Sequence, residues 1–451
     1  MKHEASQLIN FSTQVSYETL PEKVINQVRR VVLDALGCMI AGTRTVAGQQ
    51  MSQLAQSARQ TDGTTVIGIK EPINPTMAAN VNGVIANVLD GDDGHRMAKG
   101  HPGGVILPAA FAAAEVLKVN GKQFMEALVA GYEVGLRCGL AINSGETYYG
   151  SGNWVTFGAT AAVGHLMGLN AREMEQALGI TEVQTPSCQL MGWIEDRRIP
   201  TVKEGMGWSA ATGLNAAMMA RVGITGTLTL FRGKEILAKV NTCGDHYEME
   251  NLYFKQYPSC RWTHCALDLL FELMERNKLV AGDIKGIHVD TFYYASLLDT
   301  IVPDCVEQAQ YSIPFLLAVA ALDGELTPRQ MRADRFVDDR VTALARKVTL
   351  SVDEDIQNKY PASTLARLTI ETTAGQTLKA EAEKLKGDWN YPLTDQEIKD
   401  KFRRFAGGIL PLDTVEELIQ TVWKLDTMEK PWELLSKRSG TRRRNTSTIS
   451  S

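Results

Sequence analysis

Apolar residues recur every third or fourth position through the first half of the chain. Val24, Val28, Val32 and Leu36 follow Pro21 at helical spacing, before Gly37 and Gly42 loosen the end. The same rhythm predicts further helices at about 75–89, 106–118, 122–143, 156–168, 172–186 and 204–222. Stretches such as Ala109 to Ala114 and Ala210 to Ala220 are small and apolar on every face, which suits close helix–helix approach inside a thick core.

After residue 265 the rhythm changes. Ile284 to Tyr294 and Lys347 to Val352 alternate as strands do, and Arg367 to Glu383 has the form of a hairpin around Thr373-Ala374-Gly375-Gln376. Helices at 312–322 and 327–346 separate these strands. Thr394 with Glu397 reads as a capping box for a helix to Ala406, and Asp413 as the cap of a last helix through Leu425. The expected fold class is mainly α. A large all-helical domain is built from both chain ends, residues 1–265 and 395–430, and a smaller α+β domain covers 266–394. Residues 431–451 read as a flexible basic tail, with Lys437, Arg438 and Arg442-Arg443-Arg444 among Ser and Thr.

Composition narrows the function class. The 451 residues are 44% hydrophobic, enough for a large core, and the formal charge is −5. With the basic cluster confined to the tail, no basic face for nucleic acid is expected. No run of about 18 uncharged apolar residues suggests a membrane span, and the N-terminus lacks the apolar core of a signal peptide, so a cytoplasmic enzyme is expected. The seven cysteines are scattered without a CxxC pair and read as reduced thiols, which argues against an iron–sulfur dehydratase.

Residues 89–104 break the apolar pattern. Leu89-Asp90-Gly91-Asp92-Asp93-Gly94-His95, followed by His101-Pro102-Gly103-Gly104, places three carboxylates and two imidazoles within thirteen positions. Few surface loops carry so many groups able to trade protons near neutral pH. If the preceding helix continues through Gly91, Asp90 and Asp93 share a face, where one orients an imidazole while the other meets substrate or a cation. The alternative is that they cap amides of the glycine-rich turn, the role assigned to Asp92.

These segments resemble the MmgE/PrpD family. LDGDDGH, HPGG and ILPAAFAAAE are similar to that family's signature, and the likeness extends through DALGCMIAG, GHLMGL, KQYPSCRWTH and QYSIPFLLAVAALDGE, from about residue 5 to 425. Members include 2-methylcitrate dehydratase, cis-aconitate decarboxylase and iminodisuccinate epimerase. The resemblance implies an all-helical domain with a smaller α+β domain, no metal, no cofactor and a homodimer. It also implies a small di- or tricarboxylate substrate, with His101 and Lys203 as catalytic residues. Asp90 and Asp93 match family acidic positions, and His95 fits the motif or lines the entrance. Arg261 is the candidate clamp for a carboxylate, and His264 suits a structural role as well as a catalytic one. Two departures stand out. Gly94 replaces a frequent Thr or Ser, and Tyr149, or Tyr148 beside it, replaces a frequent histidine. Tyr149 is read either as a base paired with Lys203 or as a packing residue. Lys203 likewise has a second reading, as a solvated lysine at a helix start.

The shared chemistry is proton transfer at a carbon next to a carboxylate, which needs cations and a base of tuned pKa. A lyase of the 2-methylcitrate dehydratase type leads. A cis-aconitate decarboxylase-like carboxy-lyase and an iminodisuccinate-type epimerase using Tyr149 and Lys203 are the alternatives. A hydrolase holding metal on Asp90, Asp92, Asp93, His95 and His101, and a non-catalytic helical binding protein, are the competing classes.

Overall fold

A computed structural model describes residues 5–143 and 149–436. Tyr148 and residues 437–451 of the expected tail lie outside the described residues, but Pro431–Ser436, expected to be flexible, forms a short 3-10 helix that buries Pro431, Trp432, Leu434 and Leu435. The helices of the first half are α1 (Ser6–Gln14), α2 (Glu22–Gly42), α3 (Val46–Ala55), α4 (Pro75–Asn87), α5 (Gly103–Leu117), α6 (Gly121–Ile142), α7 (Ser151–Leu166), α8 (Ala171–Gln184), α9 (Leu190–Asp196), α10 (Met206–Arg221) and α11 (Lys234–Val240). Side-chain caps open several of them. Asn120 with Gln123, and Asn170 with Glu173, form reciprocal capping boxes at α6 and α8.

Small residues set the packing distance, as their composition suggests. A methyl group added at Gly131 of α6 would lie 2.9 Å from the Gly158 carbonyl oxygen of α7, so these two helices touch backbone to backbone. Helix α5 is buried from Gly103 to Ala114, sheathed by its neighbours on every side. The C-terminal helices, Asp395–Ala406 and Leu412–Val422, return to this body, and Phe402 and Phe405 press on Gly37 of α2.

A second buried cluster gathers residues from Cys260 to Leu385. After the short strands β1 (Arg59–Thr64), β2 (Gly94–His95) and β3 (Leu252–Tyr253), helix α12 (Arg261–Asn277) and a helix at Ile313–Asp323 flank a four-stranded sheet of order β5-β4-β6-β7, where β4 is Ile284–Thr291, β5 Val348–Val352, β6 Arg367–Thr372 and β7 Thr377–Glu381. β4 pairs with β5 in parallel and with β6 antiparallel, with Val289 opposite Leu350 on one side and Leu368 on the other. The β6–β7 hairpin turns at Gly375, whose φ of +82° suits glycine.

Three expectations need correction. The helix expected at 327–346 is broken into short turns at Pro328–Gln330, Ala333–Phe336 and Asp339–Ala345, because Thr327 and Asp338 each cap a new start with their side chains. Asp413 lies inside the last helix, whose N-cap is Pro411. Helix α4 ends at Asn87 and does not run through Gly91, so Asp90 and Asp93 do not share a helix face.

Candidate functional site

The site forms where the loop after α4 meets the start of α12. Two short strands, β2 (Gly94–His95) and β3 (Leu252–Tyr253), pair antiparallel and bring residues 253–261 against the acidic loop. The missing side chain at Gly94 makes this possible. A Cβ there would lie 2.3 Å from the Tyr253 hydroxyl, so the tyrosine occupies the space a threonine or serine would need.

Asp90 is the centre of the cluster. It is 1% exposed, and its Oδ1 accepts a hydrogen bond from Lys203 Nζ at 2.7 Å. Lys255 Nζ is 3.2 Å from the same oxygen and donates to the Asp90 carbonyl at 2.8 Å. His101 Nε2 stands 3.9 Å away. Burial alone would raise the Asp90 carboxyl, but Lys203, Lys255 and His101 outweigh it and hold the group well below the usual carboxylate range. Lys203 also donates to the Asn87 carbonyl at 3.2 Å and to Gln310 Oε1 at 3.3 Å. It is a buried site lysine, not a solvated one. Both partners of the short ion pair adopt the left-handed backbone region, with φ of +50° at Asp90 and +48° at Lys203. Such conformations cost of order 1–2 kcal/mol per non-glycine residue, so the surrounding packing enforces this meeting.

His101 has a defined orientation. Its Nδ1 lies 3.0 Å from the Asp93 carbonyl oxygen, which can only accept, so Nδ1 carries the proton. In the neutral ring Nε2 then presents its lone pair to the Lys255 ammonium, 3.5 Å away. The backbone N–H of His101 donates to Ser151 Oγ at 3.0 Å, and the N–H of Ser151, at the start of α7, is bound by the Glu204 carboxylate. Glu204, next to Lys203, is thus a buried cap for α7.

The remaining acids of the motif hold the loop. Asp93 Oδ1 accepts from the Gly103 N–H at 2.8 Å, capping α5, and Oδ2 accepts from the Tyr132 hydroxyl at 2.8 Å. Burial, with Asp34 and Asp92 nearby, raises its carboxyl to about 8. Asp92 accepts from the side-chain amide of Asn87 at 2.9 and 3.1 Å, where a backbone cap was expected. Beneath the loop, Lys401 of the Asp395–Ala406 helix bonds the Asp34 carboxylate of α2 and the Gly91 carbonyl.

A narrow cavity opens beside this cluster, lined by His95, Arg96, Lys99, His101, Glu204, Tyr253 and Arg261 among others. Cations outnumber the single acid, which suits an anionic substrate. Its volume is about 30 Å³, room for a water or two. A larger cleft of about 550 Å³ lies beyond Leu89, but no His, Asp, Glu or Lys lines it, so it offers no group to move a proton. The smaller cavity is therefore the candidate active site.

The other expected residues fall around it. His95 lines the cavity, with Nδ1 accepting from the Ala98 N–H at 3.0 Å and Nε2 lying 3.5 Å from Glu248 Oε2. Arg261 also lines it, but is not a free bidentate clamp. Its Nη2 already donates to Asp388 Oδ1 at 2.6 Å and the Lys386 carbonyl at 2.9 Å, leaving Nε without a hydrogen-bond partner among the described residues. Arg96 and Arg261 both stack on the Tyr253 ring, at 5.1 and 5.0 Å. His264 is fully buried, and burial followed by Arg261 and Lys255 holds it well below the usual histidine range. Its Nε2 donates to the Ser259 carbonyl at 3.2 Å and its Nδ1 faces Arg261 at 3.4 Å, so it orients the arginine. Tyr149 forms no hydrogen bond with Asp90, His101 or Lys203 among the described residues. It is half-buried, bridges to Gln189, and takes its place from a backbone bond to Asn143 Oδ1 at 3.3 Å, while the aromatic ring beside Lys203 is Tyr311. Among the described residues, no three His, Cys, Asp or Glu side chains are arranged to hold a metal ion, and no single helix is long and apolar enough to cross a membrane. All seven cysteines are free thiols.

Lys255 was not anticipated. It sits in the Lys255-Gln256-Tyr257-Pro258 segment directly after the apolar Leu252-Tyr253-Phe254, and a lysine opening such a buried stretch was the available signal.

Comparison with known proteins places this geometry in context. Residues 6–250 match the MmgE/PrpD N-terminal domain and residues 257–427 the MmgE/PrpD C-terminal domain. Cis-aconitate decarboxylase of Aspergillus terreus is 26% identical, over 94% of this chain and 93% of its own length. The proteins of that name from Mus musculus and Homo sapiens are each 26% identical over 91% of this chain, covering 88% and 89% of theirs.

Proposed function

Because the chain belongs to the MmgE/PrpD family, we propose that it is a lyase acting on a small tricarboxylate, and in particular a decarboxylase of an unsaturated tricarboxylate of the cis-aconitate kind. One observation carries this reading: the buried Asp90 carboxylate is shared by Lys203 and Lys255 with His101 alongside. The two ammonium groups and single carboxylate leave one net positive charge buried beside the cavity, which favours an anionic substrate there.

In such a reaction the bond between a methylene carbon and its carboxylate breaks, releasing carbon dioxide. The electron pair forms a new double bond, and the pair of the old one moves to a carbon bearing another carboxylate. That carbon takes up one proton. Lys203 and Lys255 stabilise the negative charge as it spreads onto the neighbouring carboxylate, and a protonated His101 delivers the proton from Nε2. The chemistry needs one proton donor and a cationic wall, and invokes no metal. Epimerisation needs a second group across the substrate, the part expected of Tyr149 with Lys203, and dehydration needs a base besides His101, whereas decarboxylation needs neither. The names of the similar proteins support the same choice.

Proton NMR in D₂O with cis-aconitate, 2-methylcitrate, citrate and iminodisuccinate separates the reactions. The expected result is carbon dioxide loss from cis-aconitate with one deuterium retained in the product. Interconversion of citrate-type alcohols and alkenes without carbon dioxide makes the protein a dehydratase, and exchange without net conversion makes it an epimerase. Either overturns the proposal, as does inertness toward all four. His101→Ala is expected to lower kcat about 100-fold or more, and unchanged turnover removes His101 from the proton transfer.

A further inference from the structure

A second cleft lies apart from the candidate active site. It runs between the end of α2, the end of the Asp395–Ala406 helix and the turns at 328–332, with a volume of about 550 Å³. Arg44, Arg329, Arg332 and Arg404 line it, and no carboxylate does. This is an unusual concentration in a chain whose formal charge is −5. Arg332 pairs with Asp334 at 3.0 Å on the surface. Among the described residues, Arg44, Arg329 and Arg404 form no ion pair, although Glu325, Glu397 and Asp400 act on Arg404 from outside the lining.

Helix ends account for part of the cluster only. Arg404 lies in the last turn of its helix and Arg44 just beyond α2, where a cation stabilises the carbonyl end whatever else is present. Arg329 and Arg332 come from the opposite wall. Arg329 reaches across far enough that a Cβ on Gly408 would lie 2.8 Å from its Nη2. A concave surface of one sign with apolar walls, here Leu89, Met331, Phe405 and Ile409, focuses its field and concentrates counter-ions.

We propose that this cleft is a second anion site, taking a compact ligand with two or more carboxylate or phosphate groups, and that its occupancy acts on the candidate active site. Guanidinium forks match both groups in bidentate geometry. The link is short. Leu89 of the wall immediately precedes Asp90, and Phe405 of the wall abuts Gly91, where a Cβ would meet its ring at 2.5 Å. A ligand drawing Arg404 and Arg329 together presses on the two residues that seat the acidic loop. The binding itself does not depend on which reaction the neighbouring cavity performs.

Inorganic pyrophosphate is the probe, titrated calorimetrically into the full chain at about 0.15 M salt, where exposed charges act only over about 8 Å. The expected result is one site per chain, weakened at least tenfold by the double variant Arg44→Gln/Arg329→Gln and unchanged by His101→Gln. Both arginines are exposed, so the double variant should keep the parent thermal midpoint without ligand, which verifies that it folds. Competition with citrate in His101→Gln protein identifies the natural chemistry: displacement points to polycarboxylates, and resistance to phosphate esters. No binding, binding indifferent to the double variant, or binding lost in His101→Gln overturns the proposal. So does sedimentation showing that the arginines instead hold two copies of the chain together.

Discussion

Asp90 shows how a single carboxylate organises the site. It remains ionised in a place where burial favours the neutral acid, because two lysines and a histidine converge on it. Asp90→Asn strips Lys203 and Lys255 of their shared counter-charge while leaving both buried, which should destabilise the fold by about 3–5 kcal/mol in urea denaturation. A loss under 1 kcal/mol would mean the lysines find water instead. Gly94→Thr tests the contact with Tyr253. The added side chain collides with the ring, at an expected cost of about 1–3 kcal/mol, and in a Tyr253→Ala background Gly94→Thr should cost little. Asp90, His101 and Lys203 were legible in the sequence because their types stand out against apolar surroundings. Lys255 was marked only by its place beside an apolar stretch, which does not by itself show that its ammonium is wholly enclosed. The positive φ values at 90 and 203 were equally hidden, because only tertiary packing imposes them on residues other than glycine.

Asp93 belongs to the element scale, where it joins the start of α5 to Tyr132 of α6. Its carboxyl is raised from the ordinary 3.8 to about 8 by burial and by Asp34 and Asp92. The contribution to stability is therefore complete below pH 3.8 and is lost as pH rises through about 8. Thermal midpoints measured from pH 5 to 9 should decline more steeply for the parent than for Asp93→Asn, which keeps an acceptor for Gly103 and cannot ionise. Parallel slopes would place the titration elsewhere. Most of the long helices were readable from periodicity and caps, Thr394 with Glu397 being the clearest case, while short ones such as Ser6–Gln14 and Val46–Ala55 were not. The segment 327–346 misled because after Pro328 it holds no proline or glycine to mark a break, while Thr327 and Asp338 restart the backbone. Hydrophobic spacing reports which side chains are buried, and several short turns can bury the same set as one continuous helix.

Across the whole molecule, residues far apart in sequence fasten one loop. Lys401, near the C-terminal end, reaches Gly91 and Asp34, while Lys203 and Lys255 hold Asp90 from the middle of the chain. Sequence could indicate that both ends join one helical body, but pairings across hundreds of residues leave no local trace. The reaction cavity these contacts frame holds a volume of only about 30 Å³, against several hundred for a pocket that encloses a metabolite. On the proposed reaction, a tricarboxylate enters a space of this size only when the surrounding segments open, so solvent friction becomes a brake on throughput. Sucrose or glycerol should slow kcat in proportion to relative viscosity, whereas indifference to thickened solvent would show that bond-breaking itself keeps the time.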